Sequence, residues 1–159
     1  CDLAAPFGMR VALEFFPWTV VPGIAEADAI LDAAGRPNSG ILVDALHFDR
    51  GPSKLEALAA IRQERLPFLH LCDAPVAPSW TTEELLHAAR AERLAPGDGG
   101  IDLSSLIAAM PRGIPLTLEV PMAALTARIG PEGVAHRVRI AAERVNTGLR
   151  YSDRDLVQK

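Results

Sequence analysis

The stretch Gly40-Ile41-Leu42-Val43-Asp44 decides the fold, because it is an unbroken apolar run that ends in a carboxylate. A short run that is apolar at every position is typical of a strand buried on both faces, as in parallel sheets. Three other runs have the same form: Val11-Ala12-Leu13 before Glu14, Pro67-Phe68-Leu69 before His70, and Leu116-Thr117-Leu118 before Glu119. Charged or imidazole groups at successive strand ends predict an enzyme on a (β/α) barrel, where those ends converge on one mouth.

The segments between the apolar runs carry helix signals. Ile24 to Ala34 has apolar residues at helical spacing and closes at Gly35. Ser53-Lys54-Leu55-Glu56 and Thr81-Thr82-Glu83-Glu84 both fit the capping box that starts a helix. We predict strands over 9–15, 40–46, 67–72 and 114–120, and helices over 24–34, 53–64, 81–92, 102–110 and 131–145. Alternation of this kind predicts an α/β fold with a parallel sheet and right-handed crossovers.

The spacing of the polar strand ends favours a barrel over an open doubly wound sheet. The four positions lie 30, 26 and 49 residues apart, which matches two single βα units and one unit enlarged by the Pro96-Gly97-Asp98-Gly99-Gly100 turn and an extra helix. No GxGxxG or GxxxxGK[ST] motif follows any of the strands, so a dinucleotide-binding or P-loop fold is disfavoured. We therefore expect residues 1–159 to form a single domain of parallel (β/α) TIM-barrel type.

Composition limits the classes of partner. The 159 residues are 49% hydrophobic and 23% charged, which is ordinary for a globular domain. A net charge of −4 gives no general attraction to nucleic acid, and no run approaches the length of a membrane span. Cys1 and Cys72 form no CxxC motif, which predicts a reducing, cytoplasmic setting. We expect a small-molecule partner.

The strand-end residues offer three carboxylates and one imidazole. This set suits Mn²⁺, Mg²⁺, Co²⁺ or Fe²⁺ better than a closed, cysteine-rich zinc site. A divalent ion would polarise a carbonyl while carboxylates on either side remove and return a proton, which is isomerase or epimerase chemistry. Structural roles compete with this hypothesis: Asp44 could cap a helix or a turn, His70 could be a core histidine, and Glu14 and Glu119 could face solvent.

At several motifs the chain resembles the xylose isomerase-like TIM barrels, a family of sugar phosphate isomerases and epimerases. The motifs are Ala12-Leu13-Glu14-Phe15, Val43-Asp44-Ala45-Leu46-His47, His70-Leu71-Cys72-Asp73, the segment Arg93 to Asp102, and Leu118-Glu119. The resemblance implies that Glu14, Asp44, His70 and Glu119 are metal ligands, with Glu14 and Glu119 also the proton-transfer pair. It implies that His47 and Arg93 contact substrate oxygens. The expected ion is Mn²⁺, with Mg²⁺, Co²⁺ or Zn²⁺ as alternatives.

The family's barrels have eight strands, whereas four are predicted here, corresponding to the C-terminal half. Either four further units lie upstream or the chain is a half-barrel, whose open parallel edges would pair with a second copy. We therefore expect a homo-oligomer or a missing N-terminal barrel half.

Other functions stay open. They are a non-catalytic half-barrel or interaction module, a metal-dependent lyase or dehydratase that shares the first proton abstraction, and a relative of the apurinic-site endonucleases. Sequence alone does not separate isomerase, epimerase and dehydratase, nor does it name the substrate, which we expect to be a sugar, polyol or hydroxy-keto compound.

Overall fold

A computed structural model of the chain describes residues 1–155, with side-chain environments through residue 148. Its sheet has four strands in the order β1-β2-β3-β4, which is their order in the chain. They are β1 Val11–Glu14, β2 Ser39–Asp44, β3 Leu69–Leu71 and β4 Leu116–Leu118. The pairings of β1 with β2 and of β2 with β3 are both parallel. The prediction of a parallel α/β sheet is confirmed.

Helices alternate with the strands. They are α1 Ile24–Ala34, α2 Ala45–Arg50, α3 Leu55–Ala60, α4 Thr82–Arg90, α5 Leu103–Ala109 and α6 Ala123–Asp155, with short 3-10 turns at Ala5–Phe7 and Gln63–Arg65. Gly130 interrupts α6 with φ 75° and ψ 165°, so a new helix starts at Pro131. Proline fits there because the first turn of a helix needs no amide donor from it. Among the described residues, no helix combines the length and apolarity needed to cross a bilayer.

Strand β2 is the buried centre of the sheet. All six of its residues are buried, as expected for a strand paired on both edges and covered on both faces. Gly40 packs closely against the chain before β3, since a Cβ there would lie only 3.1 Å from the Arg65 carbonyl oxygen and the Pro67 ring. The glycine therefore allows β2 to pack closely against the segment that leads into β3.

The chain divides into two compact units. The first comprises residues 1–70 and 105–117, and the second comprises residues 71–104 and the chain from 118 onward. The first contains β1, β2, α1 and α3. In the second, Ala95, Val134 and Val138 form a buried cluster, against which Val120, Met122, Leu125 and Ala141 pack.

Two of the local predictions need correction. Ser53 does not open a capping box, because α3 begins after Lys54 with no side-chain cap; its hydroxyl instead accepts the amide hydrogen of Ile24. Gly23 precedes α1 and has no side chain to cap it, so Ser53 supplies the acceptor from elsewhere in the chain. The strand predicted over 40–46 ends at Asp44, where α2 begins. The capping box at Thr81 and Glu84 is confirmed.

A buried arginine ties α1 to the segment before β3. Arg65 is only 8% exposed, and its guanidinium donates to the carboxylates of Asp28 and Asp32, which lie one helical turn apart on α1. The hydrogen bond from Arg65 lowers the pKa of Asp32 below its usual 3.8. The same hydrogen bond, together with the one that Arg65 donates to Asp28, raises the pKa of Arg65. The network therefore holds the start of β3 against α1.

We predict that Arg65→Met lowers the melting temperature by a few degrees at pH 7. A carboxyl group with a lowered pKa stabilises the fold fully above its unfolded value of 3.8, and this stabilisation is lost as the pH falls through the folded value. The difference between wild type and variant should therefore narrow below about pH 4. Arg62→Met is the matched control, since Arg62 is 61% exposed and 3.7 Å from Asp32. A pH-independent difference, measured by calorimetry, would contradict the role of Asp32.

Candidate metal centre

Three of the predicted ligands meet at the carboxyl ends of the parallel strands in the first unit. Glu14 is in register with Leu42, and Asp44 is in register with His70. Leu42 and Asp44 are two residues apart on β2 and share a face, so Glu14, Asp44 and His70 all project to the same side of the sheet. Their potential ligand atoms lie within 4.8 Å of one another. His70 Nδ1 is 3.8 Å from Asp44 Oδ2 and 4.0 Å from Glu14 Oε1.

Asp44 divides its two oxygens between two tasks. Oδ1 accepts the amide hydrogens of Leu46 at 2.9 Å and His47 at 3.1 Å, which caps α2. Oδ2 lies beside His70. The helix-cap role and the metal-ligand role considered from the sequence are therefore compatible, because each uses a different oxygen. The side chain is fully buried, and its position is set by the two amides.

His47 lies next to Glu14 and packs against two aromatic rings. Its Nε2 is 3.9 Å from Glu14 Oε1, and the residue is 2% exposed. The rings of Phe16 and Trp18 pack edge-on against the imidazole, with centroid distances of 4.7 and 5.3 Å. This packing fixes the orientation of the imidazole beside Glu14. The contact of His47 with substrate stays a prediction.

Glu119 follows β4 and belongs to the second unit, where Arg93 holds it. The guanidinium of Arg93 donates to the backbone oxygen of Glu119 at 3.1 Å and lies 3.2 Å from its Oε2. Arg93 is itself almost fully buried, and it also contacts Cys72 Sγ at 3.4 Å. The arrangement orients the Glu119 carboxylate, whose side chain is 48% exposed. The roles of Glu119 as ligand and of Arg93 as substrate contact stay predictions.

The residues of the first unit fit a divalent cation. Glu14 Oε1 and the whole of Asp44 are buried, and gathering two carboxylates out of water is costly without positive charge nearby. Two carboxylates with one imidazole give hard oxygen donors and a borderline nitrogen donor. Zn²⁺, Co²⁺, Mn²⁺ and Mg²⁺ all accept such a set, with the preference for nitrogen stronger for Zn²⁺ and Co²⁺ than for Mn²⁺ and Mg²⁺.

The sequence left open whether Asp73 pairs with Arg93 or with the backbone of a turn, and the structure shows hydrogen bonds to the turn backbone. The Asp73 oxygens accept the amide hydrogens of Gly97 and Ile101, in the turn that follows Pro96. The Pro-Gly-Asp-Gly-Gly run signalled a tight turn, but its partner lies more than 20 residues upstream. The pairing of Arg93 with Glu119 had no local signal either.

Comparison with known proteins identifies the family of the chain and several of its relatives. A family model described as xylose isomerase-like TIM barrel matches residues 1–144. The inosose isomerase of Bacillus velezensis is 32% identical over 112 residues, covering 69% of this chain and 38% of that protein. The inosose isomerase of Bacillus subtilis is 30% identical over the same coverage. The chain thus spans about two fifths of the length of the curated relatives it matches.

Solved structures show the same fold. A crystal structure of the IolI protein with bound zinc has a TM-score of 0.72 and 24% identity, covering 93% of this chain and 51% of that chain. A xylose isomerase domain protein from Alicyclobacillus acidocaldarius has a TM-score of 0.58 and 25% identity, covering 87% of this chain and 54% of that chain. The predicted TIM-barrel type of fold is confirmed, and the chain belongs to the xylose isomerase-like TIM barrel family.

Proposed function

We propose that the protein is a divalent-metal-dependent isomerase or epimerase that moves a proton next to a carbonyl in a sugar, polyol or hydroxy-keto substrate. The observation that carries the proposal is the cluster of Glu14, Asp44 and His70 on one face of the sheet, at the strand ends. Relatives named inosose isomerase support a cyclic polyol ketone as the substrate and a place in carbohydrate metabolism.

Glu14, Asp44 and His70 would hold the ion, and we propose Glu119 as the fourth ligand because it follows the next strand of the sheet. Mn²⁺ is our first candidate from the donor set, and the zinc bound by the IolI protein makes Zn²⁺ the alternative to compare with it. When bound, the ion would polarise the substrate carbonyl and make the neighbouring carbon acid easier to deprotonate.

The chain's own residues would move the proton. Glu14 and Glu119 are the proposed acid/base pair, one carboxylate removing the proton and the other returning it. His47 would help to orient Glu14 from 3.9 Å away, and Arg93 would orient Glu119 with its two donors. Phe16 and Trp18 give the neighbourhood of Glu14 an apolar wall, which suits the C–H face of a carbohydrate ring.

The assembly is also a proposal. The outer strands carry Val11 and Leu118, each 41% exposed, so both edges of the sheet present apolar side chains. We propose that a second copy or a further set of βα units covers them, since unpaired strand edges are pairing sites. Light scattering tests this: a monodisperse monomer that unfolds cooperatively would rule out pairing between copies. A reducing, cytoplasmic setting is proposed on the two free cysteines.

We predict that the chelator-treated protein binds Mn²⁺ or Zn²⁺, and that His70→Ala and Glu14→Gln weaken binding by at least about 10- to 100-fold, the range found even for residues that only support ligands. Calorimetric titration and elemental analysis provide the measurements. His87→Ala and His136→Ala are matched controls, since both imidazoles are exposed on helices. Equal affinity in His70→Ala and wild type would refute the site.

Asp44 allows its two roles to be separated. Asparagine is as good a helix cap as aspartate, so Asp44→Asn should keep α2 and lose metal affinity. Asp44→Ala should lose the cap as well, lowering the free energy of unfolding by about 0.5–2 kcal/mol in the metal-free protein. Denaturant unfolding in chelator and metal titration give the two readouts. If both variants unfold alike, the cap does not contribute.

Proton transfer can be followed without knowing the product. With an inosose in D₂O, we expect deuterium at the carbon next to the carbonyl by NMR, and Glu119→Gln should slow this exchange by about 10²–10⁴-fold, the usual contribution of a general acid or base. Product analysis then separates isomerisation, epimerisation and dehydration. A metal-loaded wild-type protein that exchanges no proton would remove this substrate class.

A further inference from the structure

Asp73 is a buried carboxylate outside the proposed ligand set, and it binds backbone amides with both oxygens. It is 1% exposed. Its Oδ1 accepts from Ala74 N at 2.8 Å and Ile101 N at 3.1 Å, while Oδ2 accepts from Gly97 N at 2.9 Å. Hydrogen bonds from N–H groups to a carboxylate are among the stronger ones in proteins. One side chain thus fixes both ends of the turn 97–101.

The turn lies directly on Asp73. A Cβ at Gly99 would overlap Asp73 Oδ1 and come within 2.5 Å of the Ala74 carbonyl oxygen. Gly100 donates its amide hydrogen to the same carbonyl at 3.0 Å. Only glycine at position 99 allows this approach, so turn and carboxylate form one rigid unit.

The same segment holds Arg93. The backbones of Asp73 and Leu94 exchange two hydrogen bonds, at 2.9 and 2.8 Å, and Leu94 directly follows Arg93. On its other side, Arg93 donates its own amide hydrogen to Pro121 O at 2.8 Å. The Arg93 backbone is therefore fixed between the Asp73 segment and the segment that follows Glu119.

Arg93 in turn restrains Glu119. Its guanidinium grips both the backbone oxygen and the carboxylate of Glu119. A side chain as exposed as that of Glu119 would otherwise sample several rotamers, and ordering it at the moment of binding costs free energy. Asp73 is thus connected to the Glu119 carboxylate through Arg93 in two ways: its backbone pairs with Leu94, next to Arg93, and its side chain holds the turn that begins three residues after Leu94.

We propose that Asp73 is a positioning residue for Glu119, acting through the turn 97–101 and Arg93. The proposal rests on the proposed function for the meaning of Glu119 as a ligand and proton carrier. Asp73 itself touches neither substrate nor ion. Its effect should therefore disappear when Glu119 can no longer serve as a ligand, whereas a general structural role would not depend on Glu119.

The test compares Asp73→Asn with Asp98→Asn in the full chain. Asp98 lies in the same turn, but its carboxylate is partly exposed and pairs with Arg137 at 2.8 Å on the surface, where such pairs contribute little. Zn²⁺ affinity is measured for each variant alone and combined with Glu119→Gln. Asp73→Asn should weaken binding by about 10- to 100-fold in the wild-type background and by less than about 3-fold beside Glu119→Gln. Asp98→Asn should change neither value.

Equal losses of affinity in the two backgrounds, or no loss in the wild-type background, would overturn the proposal. A second readout does not depend on metal: the Arg93–Glu119 contact gives slowed guanidinium rotation by NMR, expected in wild type and Asp98→Asn and lost in Asp73→Asn. Retention of that contact in Asp73→Asn overturns the proposal even if wild type binds no Zn²⁺, an outcome that would count against the proposed function. If Asp73→Asn does not fold, Gly99→Ala displaces the turn while keeping the carboxylate, with the same expectations.

Discussion

The parallel register of β2 with its two neighbours is the constraint on which the candidate site depends. Pairing Glu14 with Leu42 and Asp44 with His70 brings three side chains from distant parts of the sequence to one face of the sheet. A slip of one residue in either pairing would turn the corresponding ligand to the opposite face. Such a slip in β2 would exchange the residues that it packs against its two covered faces, which the close packing of Ile41 and Val43 in the core opposes. The core thus sets the geometry of the polar groups.

Burying these polar groups costs free energy, and nearby hydrogen bonds and packing contacts offset that cost. Asp44 is stabilised by amides of α2, His47 is enclosed by aromatic rings, and Arg65 bridges two carboxylates. Each arrangement satisfies charge or hydrogen-bonding demand inside a short stretch of the fold. Clustering acidic groups at strand ends costs stability that a bound cation would return, which is the usual relation between a site and its scaffold.

The sequence was sufficient where the signal is local or periodic. The four apolar runs place the strands, and Thr81 with Glu84 places the start of α4. It was insufficient where partners are far apart in the chain. Ser53 caps α1 because Gly23 cannot, and nothing near Ser53 indicates that. The short helix α2 was hidden because its first residues, Ala45 and Leu46, continue the apolar pattern of β2. Arg93 likewise finds Glu119 through tertiary structure alone.

The shared carboxylate of Asp44 affects how this fold should be compared among its relatives. An aspartate at that position meets two separate requirements, a helix that needs a cap and an ion that needs an oxygen. A relative that had lost its metal would still need this aspartate to cap the helix. Its presence is therefore weak evidence of chemistry in any other member of the family. His70, whose imidazole nitrogen lies 3.8 Å from Asp44 Oδ2 and 4.0 Å from Glu14 Oε1, is the more informative residue to inspect.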